Sequence, residues 1–455
     1  MMRFAPIARI ILIALLPFGL RAEEISLSLP QARALAEAAL ARQDYALAVR
    51  MGQGLLEANR RDTGAWYLVA AAQAGQGNPR AARAAVTRAY RFAQTPGDKT
   101  RAAELAARFA VREGRPTMAQ AWLRRAAIHI DTPEQEARLA ADYRALRRIN
   151  PWSFALRTDV RPSNNVNGGS SAVYNVIDDV IAPDFPLATQ ALEGTVASVD
   201  ARVGYRLRAS ASSATTLGGR LYVQRVKLAG SARAVNPLAR DSDYGATWGE
   251  ISLHHGFQVQ GGTAAVELTL GESWYGDLRN FRSAELAGER NWRIGTASSL
   301  QLNARVERRF DARSTVNEAT GLGVGAFYSH RFADDGRFGL SLALRDTRAE
   351  SINGTYSSAS LRASYAFGRK IGPARLTLAL GAEMADYPLF RLSGAIPATR
   401  REDVAHYGEV SLFFPDFDYA GFAPTLSLRA GERSSNFSQY TNREVSVALG
   451  VQSKF

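Results

Sequence analysis

The sequence predicts a multidomain α plus all-β protein, with an N-terminal tetratricopeptide-like α-solenoid followed by a C-terminal outer-membrane β-barrel of about 14 antiparallel strands. Three observations carry this. Apolar spacing changes from helical to alternating near Asn150-Pro151-Trp152. The closing run sets Val445, Val447, Leu449 and Val451 against Glu444, Ser446, Ala448, Gly450 and Lys454, and it ends on an aromatic, Phe455. Near the other end, Arg3 and Arg9 flank an apolar core from Ile10 to Leu16 that leads to Ala22, the layout of a secretory signal peptide.

In chain order these features predict a signal peptide over 1–22, a periplasmic helical domain over 23–150 and a transmembrane barrel over 151–455. Within the helical part a short pattern recurs. Asp44-Tyr45 before Ala48, Asn78-Pro79 before Ala82, and Arg115-Pro116 before Ala119 each open a helix, at intervals of 34 and 37 residues. A period of about 34 residues is that of tetratricopeptide helix pairs. Ala48, Ala70, Ala82, Ala106 and Ala119 fall where paired helices approach closely, and Trp66-Tyr67-Leu68 and Trp122-Leu123 fill the spaces between them. An irregular alanine-rich bundle fits the same composition, but only a solenoid offers a concave surface for an extended peptide.

After Trp152 the alternation repeats in segments near 152–162, 194–209, 214–228, 243–257, 262–276, 284–295, 297–311, 319–332, 336–348, 356–368, 372–386, 402–414, 422–434 and 442–455. Leu300, Leu302, Ala304, Val306 and Phe310, for example, oppose Gln301, Asn303, Arg305, Glu307 and Arg309. The connections alternate between long or polar stretches (163–193, 229–242, 387–401, 435–441) and tight ones (333–336, 369–372). Long outer loops and short periplasmic turns are the outer-membrane pattern. If the apolar faces meet lipid, the opposite faces line the lumen. That lining includes Arg202, Arg206, Arg305, Arg309, Arg337, Arg345, Arg362, Arg375, Arg429 and Arg433, because an arginine facing lipid at the midplane costs roughly 2–4 kcal/mol.

Composition narrows the chemistry. The 455 residues carry a net charge of +13, no cysteine and five histidines without metal-ligand spacing. Disulfides, thiol chemistry and a lipid-bearing cysteine are excluded. No cofactor or metal is expected, and no nucleic-acid motif accompanies the charge. No serine sits in a Gly-x-Ser-x-Gly elbow, and Gly321-x-Gly-x-Gly325 lies inside a strand with no helix after it. The expectation is a protein that is not an enzyme.

The junction reads Pro151-Trp152, then Pro162-Ser163-Asn164-Asn165-Val166-Asn167, and the end reads Ser435-Asn436, Tyr440, Arg443 and Phe455. These stretches resemble the surface lipoprotein assembly modulator (Slam) family, also described as type XI secretion outer-membrane proteins, over residues from about 30 onward. The resemblance implies a Gram-negative outer-membrane translocator that delivers lipoproteins or soluble secreted proteins to the cell surface. The helical domain would engage the client in the periplasm. The barrel, a monomer surrounded by outer-membrane lipid, would pass the client through its lumen or between its first and last strands. Gly450 and Phe455 match a signal for assembly by the Bam machinery, although Ser453 stands where a second apolar residue is usual. A tetratricopeptide-barrel polysaccharide exporter is the rival reading and a passive porin the next.

Overall fold

The computed structural model describes residues 27–454 apart from 131, 173–174, 178–179, 183–189, 312–317 and 393–396. The expected signal peptide over 1–22 and Phe455 lie outside the described residues. The chain divides into two compact units after Gln94. The first holds α1 (Leu29–Ala41), α2 (Tyr45–Ala58), α3 (Thr63–Gly75) and α4 (Pro79–Phe92). The second begins with α5 (Pro96–Arg112), α6 (Pro116–Ala127) and α7 (Pro133–Ile149) and continues into the sheet. The change from helix to strand thus falls at Asn150, whereas the break in compactness falls earlier.

The helical repeat is written in its turns. Gln43, Gly77 and Gly114 take φ angles of 62°, 76° and 70°. Just after each, an amide reaches back across the end of the first helix: Asp44 to the Ala39 carbonyl, Asn78 to Gln73, Arg115 to Ala110. This left-handed C-terminal turn satisfies carbonyls that the helix leaves open. It recurs where the second helix of each pair, α2, α4 or α6, begins. Asp44, Asp62, Thr95 and Thr132 cap helix starts by accepting from backbone amides. Ala48, Ala70, Ala82, Ala106 and Ala119 have no exposed surface, so the paired backbones lie close. Trp122 and Leu123 are buried as well, but Trp66, Tyr67 and Leu68 are only half-buried.

The sheet comprises β1 (Trp152–Ser163), β4 (Gly194–Ala209), β5 (Ser213–Leu228), β6 (Ala246–Val259), β7 (Gly262–Tyr275), β8 (Leu278–Ile294), β9 (Ser298–Asp311), β10 (Ala319–Arg331), β11 (Arg337–Ala349), β12 (Tyr356–Ala366), β13 (Arg375–Phe390), β14 (Thr399–Phe413), β15 (Phe422–Ser435) and β16 (Asn442–Ser453). Each strand is antiparallel to the next, and β1 closes the ring between β16 and β4. A hairpin of β2 (Asn175–Ile177) and β3 (Val180–Ala182) and a short helix, α8 (Gly230–Val235), lie in connections outside the ring.

Fourteen strands were expected and fourteen form the closed barrel. The sixth of them differs in extent. It starts at Leu278 rather than 284, because Gly276 and Asp277 both take positive φ, 58° and 63°. Two such residues make the tight hairpin turn that matches strand twist, so a polar stretch expected as loop is strand. The fourth begins at Ala246 rather than 243, since a 3-10 turn occupies Asp241–Tyr244.

Register settles the two faces, since directly opposed residues share one. Leu302, Ala326, Leu342 and Leu361 oppose one another in sequence across four strands, as do Ala304, Val324 and Leu344. Leu380 at 69% and Ile251 at 64% exposure belong to this outer surface. An exposed apolar band around a ring with no open sheet edge is a surface built for lipid.

Inside, charge is cross-braced over glycine. Arg345 on β11 reaches across β10 at Gly321 to Glu307 on β9, at 2.6 Å, and Arg309 joins the same carboxylate at 3.0 Å. Arg362 on β12 and Arg429 on β15 both approach Glu409 on β14, at 3.9 and 4.0 Å. Here Gly381 of β13 leaves room for the Tyr407 ring, 2.3 Å from where a Cβ would stand. Glycine therefore makes space for side chains that span neighbouring strands. Replacing Gly381 with Val should destabilise the barrel by about 1–3 kcal/mol through overpacking. Heat-modifiable gel mobility across a temperature series would show the loss, and an unchanged transition would mean the ring of Tyr407 moves aside freely.

Candidate functional site

The seam between β1 and β16 is the least complete ladder of the ring. Its register runs only from Thr158 opposite Val451 to Ser163 opposite Ser446, whereas β1 pairs with β4 over its full length, Trp152 to Ser163. Two local causes are visible. Pro162 has no amide to donate, which interrupts the ladder between Val160 and Ser163. At the other end, β16 keeps to β15 as far as Ser453 opposite Phe422, while Trp152–Arg157 of β1 stay with β4. The β1–β16 ladder therefore stops at Thr158 and Val451, on the side that carries the helices. Gly450 sits at the last tight point, with the Thr158 carbonyl 2.7 Å from where its Cβ would be.

The hairpin of α6 and α7 grips both sides of this seam. On the β1 side, buried Asn150 donates to Gln120 at 2.7 Å, accepts from Thr117 at 3.1 Å and accepts the Trp152 amide at 3.1 Å. Arg206 of β4 donates to the carbonyls of Arg148 and Asn150, at 2.9 and 3.1 Å. On the β16 side, Arg124 donates to the Ala420 carbonyl at 3.1 Å and to the Ser453 hydroxyl at 3.0 Å, stacking 4.4 Å over the Phe422 ring. Lys454 pairs with Glu136 of α7 at 2.5 Å and with Asp418 at 3.0 Å. Between these grips lies a cavity of about 560 Å³ lined by Arg124, Tyr143, Arg147, Trp152, Phe154 and Arg157 among others. It opens onto the unpaired edge of β1.

Toward the far end of the barrel, connections pack against the wall in two places. Leu192 and Val166 pack with Val196, Val226 and Leu228 of the wall and with Ala232 and Val235 of α8. Opposite, the Arg401 guanidinium lies 3.2 Å from the Tyr440 ring centroid and 4.3 Å from that of Tyr387, and it pairs with buried Asp403 at 2.5 Å. Phe390 meets both Phe437 and Tyr440 edge-on, and Phe437 has no exposed surface.

The residues of the sequence motifs hold these connections in place. Asn164 receives the Val445 amide at 3.0 Å and donates to the Arg443 carbonyl at 3.3 Å, tying β1 to β16. Asn165 exchanges two hydrogen bonds with Gly169, both 2.8 Å. Asn167 bonds the Gln190 carbonyl and the Leu192 amide, at 2.8 and 2.9 Å, drawing together the ends of the long connection. The Ser435 hydroxyl accepts the Phe437 amide. Asn436 accepts the Glu402 amide at 2.8 Å and donates to the Arg400 carbonyl at 2.9 Å. Arg443 pairs with Glu432 at 3.3 Å. Trp152 packs against Tyr205 on the outer face, 4.6 Å between centroids, with Pro151 at the cavity wall.

The arginines expected in the lumen separate into groups. Arg202 pairs with Asp200 at 3.1 Å, and Arg309, Arg345, Arg362 and Arg429 join the braces around Glu307 and Glu409. Arg206 serves the end of α7 instead of the passage. Arg305 lies over Gly323, and Arg433 stands opposite Ala405. Arg337 and Arg375 line a second cavity of about 570 Å³ at the helix-bearing end of the lumen, beside Ser411, Ser427 and Gln452. Arg124, Glu136 and Tyr143 are not marked by the sequence, and Lys454 enters there only on the polar face of the closing run. Their roles depend on which helix meets which strand end, and no local pattern marks that.

Burial is the largest influence on the Lys454 ammonium and lowers its pKa, but hydrogen bonds to Glu136 and Asp418 outweigh it together and hold the group above its ordinary value. A raised folded-state pKa means the pairing stabilises fully below the ordinary lysine value of 10.5 and fades as pH climbs through the folded value. Wild type should therefore melt above Lys454→Gln at neutral pH, with the gap narrowing on the alkaline side of 10.5. A gap that stayed constant through that range would show the pair contributes nothing through charge.

No family model matches the chain, and no curated protein sequence matches it. Among solved structures, the helices are similar to SycD, the type III secretion translocator chaperone of Yersinia enterocolitica, with 18% identity, 27% of this chain and 88% of that chain covered, and a TM-score of 0.24. The barrel is similar to OccAB4 of Acinetobacter baumannii, with 10% identity, 66% and 97% coverage and a TM-score of 0.36. It is also similar to an outer membrane channel from Pseudomonas putida F1, with 12% identity, 65% and 95% coverage and a TM-score of 0.32. These likenesses extend to the order of helices and strands and no further.

Proposed function

We propose that this chain is an outer-membrane translocator that carries lipoproteins or secreted proteins from the periplasm to the cell surface, in the manner of the Slam or type XI proteins. The carrying observation is the short β1–β16 ladder with the helix hairpin fastened to both of its sides. Helices that only tethered a pore would have no reason to clasp its closure point. In this reading the helical domain lies in the periplasm and holds an unfolded client near the cavity at the seam. The unpaired edge of β1 offers main-chain donors and acceptors to an extended client segment. Arg147 and Arg157 at the cavity favour acidic segments. The barrel is a monomer inserted by the Bam machinery.

Arg337 and Arg375 at the helix-bearing mouth support one other reading, export of an acidic polysaccharide through the lumen.

The two routes separate experimentally, because the native chain has no cysteine. Thr158→Cys with Val451→Cys places two thiols at directly opposed positions of the seam. Oxidation should cut surface display of the client at least tenfold, with reduction restoring it. Display that survived a complete cross-link would rule out passage at the seam. Deleting 29–94 while retaining α5–α7 should remove specific proteins from the shaved surface proteome and leave a folded barrel. An unchanged surface proteome with altered capsular sugar would favour the polysaccharide reading.

A further inference from the structure

On the outer surface, a dent of about 680 Å³ crosses β7 to β11. Small residues floor it (Ala264, Gly288, Ala304 and Ala326), with Phe257 and Leu344 standing at its sides. A Cβ added at Gly288 would meet only the Ala265 carbonyl, at 4.0 Å, so the floor faces open space. Arg290 stands in the same outward rows, opposite Ala264 and Leu302.

This arginine lacks the carboxylate partner that most outward arginines have. Toward the far end, Arg308 pairs with Glu318, Arg348 with Asp346, Arg400 with Asp386 and Glu402, and Arg443 with Glu432. Arg290 has no carboxylate partner among the described residues. Its Nη2 donates to the Gln260 carbonyl in the β6–β7 turn, and its guanidinium lies 5.0 Å from the Trp292 ring. Nη1 is buried and has no hydrogen-bond partner. A guanidinium stays charged at any physiological pH. On a lipid-facing wall it extends toward the aqueous boundary, here marked by the turn it bonds. The result is an unsatisfied cationic donor at the boundary with an apolar dent beside it in the band.

We propose that Arg290 and this dent bind one anionic phospholipid, with the phosphate paired to the guanidinium charge and an acyl chain over Gly288 and Ala304. The phosphate supplies the missing negative charge, and the chain fills a hollow that would otherwise leave the bilayer poorly packed. Trp292 adds an indole at the depth of the headgroup. The inference rests on the barrel standing in a membrane and is independent of what it transports.

The full chain, purified in mild detergent and stripped of lipid, can be titrated with phosphatidylglycerol and followed by native mass spectrometry. Wild type should hold one phosphatidylglycerol, and Arg290→Gln and Gly288→Phe should each weaken it at least tenfold while gel mobility reports a closed barrel. Ala304→Phe fills the same hollow if Gly288→Phe does not fold. Wild-type affinity in either the charge variant or the dent-filling variant would overturn the proposal. So would competition by inorganic phosphate at equal concentration, which would mark a free-anion site.

Discussion

Lipid offers the peptide backbone no hydrogen-bond partner, so strands can stand in a bilayer only as a ring, and a ring is as complete as its shortest ladder. In this protein that ladder joins the first strand to the last. Every other strand pair runs in register for most of its length, but the β1–β16 pair is cut short by Pro162 on one side and by the divergence of β16 toward β15 on the other. What the ladder lacks is replaced by other contacts. Asn164 stitches the far end through the Arg443 and Val445 backbone. Asn150, Arg206, Arg124 and Lys454 fasten the near end to helices. Closure is thus divided between backbone pairing, which is hard to undo, and side-chain contacts, which exchange more readily.

The interior follows from the same constraint. With apolar groups required outside over the middle of the wall, the charge there faces inward, where arginines and carboxylates must be matched without filling the space. The trans-strand braces around Glu307 and Glu409 solve this by passing over glycines, so the wall gains cross-links at positions that would otherwise crowd. Of the arginines left out of these braces, Arg337 and Arg375 line a cavity at the mouth beside the helices.

Much of this was legible in the residues. Alternation over 297–311 or 336–348 defines both a strand and its outward face, because the period of two admits no other reading when one side must be apolar. The helix pairs were visible through their turns. The start of β8 was missed because Arg279–Ser283 is polar, and because Gly276-Asp277 reads as part of a loop until its two positive φ angles are known. Arg206 followed the alternation faithfully and still serves a helix end, since periodicity fixes the face of a residue and not its partner. Contacts such as Arg124 with Ser453 or Lys454 with Glu136 join residues more than three hundred positions apart, a separation local pattern cannot span.

Those separations also bear on the order of assembly. Glu136 and Arg124 emerge before any strand, but their partners on β16 and beside β15 are in place only when the last hairpin has joined the ring. Closing so long a loop is entropically unfavourable until the intervening strands have already brought its ends together. The second grip of the α6–α7 hairpin therefore cannot form on a half-built barrel. It is a late event that records completion, and a sheet arrested short of β16 would hold these helices only through Asn150 and Arg206.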